Sequence, residues 1–81
     1  MTVTLYTSPT CQYCKLEKQF LKKHKIRFQE RNVTEYRLAQ EMVNRTKQTA
    51  VPVAVIEDNG VERIVIGFQE EELVAIFGIT A

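Results

Sequence analysis

The first patterned stretch, Val3-Thr4-Leu5-Tyr6, alternates apolar and polar side chains and then runs into Thr7-Ser8-Pro9-Thr10, so it reads as a strand ending in a turn-rich loop. From Gln12 to about His24 no glycine or proline interrupts the chain. Leu16, Phe20 and Leu21 recur there at helical spacing, which predicts a first helix with those three on its buried stripe. Alternation returns over residues 26–33, a second strand, and Thr34 then stands before a run of good helix formers as the expected N-cap. The second helix is expected over about 35–45, with Leu38, Met42 and Val43 toward the core. Past a polar loop at 46–49, the β-branched runs 53–56 and 61–66 are joined by Glu57-Asp58-Asn59-Gly60, whose Asn-Gly pair signals an antiparallel hairpin. Gly67 closes the last strand, and residues 70–77 carry Leu73, Val74, Ile76 and Phe77 in a short terminal helix that Gly78 ends.

The resulting order, β-α-β-α-β-β-α, joins a right-handed βαβ unit to a ββα unit in one mixed sheet covered by helices, an α/β architecture. A chain of 81 residues has room for one domain, 1–81, and for no second core. Its 44% apolar and 26% charged residues suit a folded soluble protein rather than a disordered one. A formal net charge of +1 gives no global reason to expect nucleic acid or an anionic membrane as a partner. No apolar run approaches the roughly 18 residues of a membrane span, and the N-terminus lacks the layout of a signal peptide, so the cytoplasm is the expected compartment.

The chemistry-bearing feature is Cys11-Gln12-Tyr13-Cys14 at the start of the first helix. Cysteines at i and i+3 in a helical turn have Cα atoms about 5 Å apart, inside the window for a disulfide, so the pair can close and open with little backbone motion. Cys11 falls where unsatisfied backbone N–H groups and the macrodipole favour negative charge, which makes it the expected nucleophile. Cys14, one turn inside, is placed to resolve a mixed disulfide formed at Cys11. A structural disulfide is the blander alternative, but so short a loop gains only roughly 2 kcal/mol, against almost 5 for a 100-residue loop. Zinc needs four ligands, and the only additional soft ligand is His24, better read as a surface residue complementing a helix C-terminus. Thiol-disulfide exchange is the reading that uses the pair's position after a strand in a βαβ pattern.

Tyr6-Thr7-Ser8-Pro9-Thr10-Cys11-Gln12-Tyr13-Cys14-Lys15, Val51-Pro52 some 40 residues on and Gly67-Phe68 before the last helix together resemble the glutaredoxin family, over nearly the whole chain. The resemblance is greatest to small prokaryotic glutaredoxin-like proteins and, through Gly67-Phe68, to the redoxins that supply electrons to ribonucleotide reductase. It implies a thioredoxin fold with a four-stranded mixed sheet and helices on both faces, and a dithiol-disulfide cycle that reduces protein or small-molecule disulfides. It further implies a cis Val51-Pro52 bond facing the sulfurs, Val51 backbone groups that pair with substrate, and substrate contacts at Tyr13, Gly67 and Phe68. No bound cofactor is implied. Electrons would come from glutathione or from a flavin enzyme such as thioredoxin reductase, and the protein would act as a monomer on disulfide-containing partners, ribonucleotide reductase among them.

Three departures from the family pattern bear on the donor. Gln12 stands where proline usually follows the first cysteine, Ser8 where a basic residue often meets a glutathione carboxylate, and Phe68 where a second glycine usually precedes an acidic pair. These predict a poor glutathione enzyme that prefers a protein reductase. Because some glutaredoxins without that proline share a [2Fe-2S] cluster between two chains through the first cysteine and glutathione, cluster binding is the competing function. Lys15, Lys18, Lys22 and Lys25 line one face of the first helix; a solvated face is the ordinary reading, with Lys15 and Lys18 the two near enough to support the cysteines. Glu17 has no evident role in the sequence.

Overall fold

The computed structural model describes residues 1–80 of the chain. Seven elements follow one another: β1 (Thr2–Thr7), α1 (Gln12–Lys23), β2 (Gln29–Asn32), α2 (Tyr36–Thr46), β3 (Val53–Asp58), β4 (Val61–Ile66) and α3 (Glu70–Phe77). The strands form one sheet in the order β2-β1-β3-β4, with β1 parallel to β2 and antiparallel to β3, and β3 antiparallel to β4. This is the expected mixed topology. Asn59 and Gly60, with φ of 52° and 79°, make the tight turn of the β3-β4 hairpin, a backbone state open to those two residue types.

The pleat of β1 sends alternate residues to opposite faces, and each face has its own core. Val3 and Leu5 meet Phe20 and Leu21 of α1, Ala54 and Ile56 of β3, Val65 of β4 and Leu73 of α3. On the other face Tyr6, Val53 and Val55 pack with Met42 of α2. Helices therefore cover both faces, α1 and α3 on one and α2 on the other. Tyr6 is wholly buried and its hydroxyl donates to Glu41 of α2 at 2.6 Å, which satisfies the one polar atom it takes into that core.

Several local expectations are corrected. α1 turns Cys14, Glu17, Phe20 and Leu21 inward, and Leu16 is 45% exposed. Phe20 and Leu21 lie on the inward stripe as expected, Leu16 does not, and Cys14 and Glu17 complete the stripe. β2 starts at Gln29, three residues later than expected. Lys25 adopts a left-handed φ of 56°, its N–H bonds the Lys22 carbonyl, and the Ile26 N–H bonds the Leu21 carbonyl at 2.8 Å. That Schellman closure, and the placing of Ile26 and Phe28 against the core, occupy the residues before pairing can begin. Thr34 does not cap α2, because its N–H and hydroxyl both donate to Asn32 Oδ1, at 2.9 and 2.7 Å. The cap position passes to Glu35, without a side-chain hydrogen bond. Val43 is 39% exposed, since Met42 and Thr46 define the buried line of α2.

Candidate active site

The C-terminal end of β1 delivers the chain through Ser8, Pro9 and Thr10 to Cys11, which is the N-cap of α1 with extended backbone angles of −87° and 114°. The turn is closed by the Cys11 N–H donating to the Ser8 carbonyl at 3.2 Å. The Cys11 side chain takes the part that a serine or aspartate oxygen plays in other caps: the Cys14 N–H donates to its Sγ at 3.1 Å. Hydrogen bonds of this kind strengthen when the acceptor carries charge. Both cysteines are free thiols, Cys11 half-buried and Cys14 completely buried. Burial, reinforced by the neighbouring Cys11 sulfur and against the opposing Ser8 backbone, pushes the Cys14 thiol up to about 12. Cys14 therefore holds its proton at neutral pH, and two chemically identical side chains have become unlike.

Opposite the cysteines lies the segment leading into β3. The Val51-Pro52 bond is cis, and the Cys11 thiol donates to the Val51 carbonyl oxygen at 3.8 Å across a sequence separation of 40 residues. Pro52 is buried, and its own carbonyl accepts from the Gly67 N–H at 2.8 Å, tying the loop after β4 to the same corner. Val51 is half-buried. Tyr13 is 65% exposed beside the pair. Phe68 stacks edge-on to Phe20 with centroids 5.9 Å apart and packs on the α1-α3 core, while its outer surface lines a groove of about 430 Å³ with Leu16, Gln19 and Val74.

The structure thus gathers Cys11, Cys14, Val51, Pro52 and Gly67 at one corner, with Tyr13 at its rim and Phe68 turned toward the core. The two lysines part company. Lys15 is exposed, whereas the Lys18 ammonium lies 2.9 Å from Glu30 of β2, which also accepts the Thr7 hydroxyl at 2.7 Å. Those two contacts, Thr7 first, hold the Glu30 carboxyl below its ordinary range despite partial burial. After burial and the Cys11 sulfur, the Glu17 carboxyl adds to the upward displacement of Cys14.

Glu17 is the residue that sequence reasoning left without a place. It is wholly buried one turn past Cys14, and neither carboxylate oxygen has a hydrogen-bond partner among the described residues. Burial alone pushes its carboxyl up to about 8. The signal was available in the spacing: a charged residue three positions after a buried cysteine and three before a buried phenylalanine sits on the inward stripe whatever its polarity.

The family model Glutaredoxin matches residues 3–61. A glutaredoxin-like protein from a rubredoxin operon of Clostridium pasteurianum is 36% identical over 72 residues, covering 88% of this chain and 91% of that one. Among solved structures, the thioredoxin-like protein BC3987 shares 29% identity with a TM-score of 0.79, covering 93% of this chain and 99% of its own. The glutaredoxin-like protein NrdH-redoxin from Escherichia coli, whose structure is described as the basis of a thioredoxin-like activity profile, superimposes with a TM-score of 0.74 over 100% of this chain and 97% of its own. At 22% identity that last likeness speaks to fold alone. The shared fold is thioredoxin-like.

Proposed function

The chain belongs to the glutaredoxin family, and from that premise we propose that this glutaredoxin-like redox protein is a dithiol oxidoreductase whose nucleophile is Cys11 and whose resolving thiol is Cys14. The observation that carries the reading is the asymmetry of the pair: one sulfur at a helix N-cap accepting a backbone N–H, the other sealed and protonated three residues on. The Cys11 sulfur attacks a substrate disulfide, a bond forms between Cys11 and one substrate sulfur, and the other leaves as thiolate. Cys14 then attacks Cys11, the second substrate sulfur leaves, and the substrate has gained two electrons while the protein holds a disulfide. An extended substrate segment is received by the Val51 backbone, with Tyr13 at its flank.

For the return of electrons we propose a protein reductase of the flavin type in preference to glutathione. Ser8 offers no charge to a glutathione carboxylate. Glu70, Glu71 and Glu72 fill the first turn of α3 and already complement its positive end, so an incoming carboxylate meets like charge there. Phe68 is committed to Phe20 and stands where a second glycine would admit a peptide backbone. The test compares NADPH plus thioredoxin reductase with glutathione plus glutathione reductase, using the oxidised protein and hydroxyethyl disulfide. Fast reduction in the first system and weak turnover in the second is expected. The reverse ordering would refute the donor, and failure in both would refute the oxidoreductase.

A further inference from the structure

α1 carries a carboxyl into the molecule and gives it nothing to hold. Glu17 is 0% exposed, and among the described residues neither of its oxygens has a hydrogen-bond partner. The charged groups on the elements packed around α1 are engaged elsewhere or face solvent: Glu30 of β2 is satisfied by Thr7 and Lys18, and Glu70, Glu71 and Glu72 of α3 are exposed. Burial displaces the Glu17 carboxyl upward from ordinary carboxylate behaviour. A structural part is therefore hard to find for it. A buried, unpartnered polar group costs about 1–3 kcal/mol, and an apolar side chain of similar volume would fill the space without that cost.

What Glu17 does have is a neighbour of matching chemistry. Positions i and i+3 of a helix place Cβ atoms about 5–6 Å apart on one face, and Cys14 is wholly buried at that position and feels the Glu17 charge. Cys14 must lose a proton to become a nucleophile and must regain one when it is released as a leaving group. Sealed from solvent as it is, it needs a proton partner inside the protein.

We propose that Glu17 exchanges the proton of Cys14. In resolution, the Cys14 sulfur bonds to Cys11 Sγ as the bond from Cys11 to the substrate sulfur breaks. The thiol proton passes to the Glu17 carboxylate, and the substrate departs as thiolate with the bond's electron pair. When the protein disulfide is reduced, the donor thiolate attacks Cys11, Cys14 leaves as thiolate, and the Glu17 carboxylic acid returns the proton to it. A carboxyl that titrates at about 8 is populated in both forms around neutral pH and serves both directions. The inference rests on the dithiol reading above.

The test uses the full chain in stopped flow with 5,5′-dithiobis(2-nitrobenzoate), which yields one thiolate when Cys11 attacks and a second when Cys14 resolves. In the wild type the second phase should rise with pH through a step near 8. Glu17→Gln should slow it about 100-fold at that pH and abolish the step, while the first phase stays within about twofold. An unchanged second phase in Glu17→Gln overturns the role of Glu17 alone, and release of a single equivalent by the wild type overturns the dithiol reading itself. Carbon-13 titration of the Glu17 carboxyl in the wild type tests the proposal even if the variant fails to fold. A midpoint matching the kinetic step supports it, and an ordinary carboxylate midpoint of about 4.3 overturns it.

Discussion

Glu17 makes stability depend on pH in a direction opposite to that of most carboxylates. Its carboxyl titrates near 4.5 when exposed and near 8 in the folded protein. Between those values the native state holds a proton that the unfolded state has released, so stability falls as pH rises, by about 1.4 kcal/mol per pH unit. Across the whole interval the loss accumulates to about 5 kcal/mol. Typical stabilities of 0.05–0.15 kcal/mol per residue amount to about 4–12 kcal/mol for a chain of this size, so one side chain decides how much of the fold's margin survives at mildly alkaline pH. The assay is urea unfolding of the reduced protein at pH 5, 6, 7 and 8, for the wild type and for Glu17→Gln. At a urea dependence of about 1–3 kcal/mol per molar, the wild-type midpoint should drop by roughly 1 M per pH unit relative to the variant. Contributions from all other groups cancel in the difference. Cys14 has the same sign of displacement, but its effect enters only above its ordinary value of 9.0, outside the window. Wild-type and variant midpoints that move in parallel from pH 5 to 8 would refute the argument that Glu17 is protonated in the native state.

Cys11→Ser should abolish disulfide reduction, and Cys14→Ser should accumulate mixed disulfides with substrate. In iodoacetamide labelling at neutral pH, the thiol left in Cys11→Ser, wholly buried, should react about 100-fold more slowly than the thiol left in Cys14→Ser; equal rates would contradict the assignment. Leu73→Ala empties a fully buried position between α3 and the sheet and should lower the unfolding free energy by about 2–5 kcal/mol, whereas Leu16→Ala, at a 45% exposed position, should stay within about 0.5. A larger loss for Leu16→Ala in the same urea experiment would restore the buried stripe that hydrophobicity alone suggests.

The alternation of Val3 to Tyr6, the helical stretches and the Asn59-Gly60 turn are local signals, and they were enough to specify the order of elements, the hairpin and the position of Cys11 at a helix start. Nothing beyond neighbouring residues is needed to produce a turn, a cap or a period. The sequence alone could also mark Cys11 and Cys14 as different, because helix position distinguishes them. The inward places of Phe20 and Leu21 were legible as well, but Leu16 is as apolar as Leu21 and still faces out, while Glu17 is carried in. Phe20 and Leu21 pack with Val3, Leu5, Ala54 and Leu73, and the fit of the helix to that whole layer leaves one leucine in solvent and one carboxyl inside. Thr34 finds its acceptor two residues away in Asn32, a local signal that the cap pattern passes over, but the meeting of Cys11 with Val51 spans 40 residues. Such features depend on many distant contacts at once, and no window of sequence contains them.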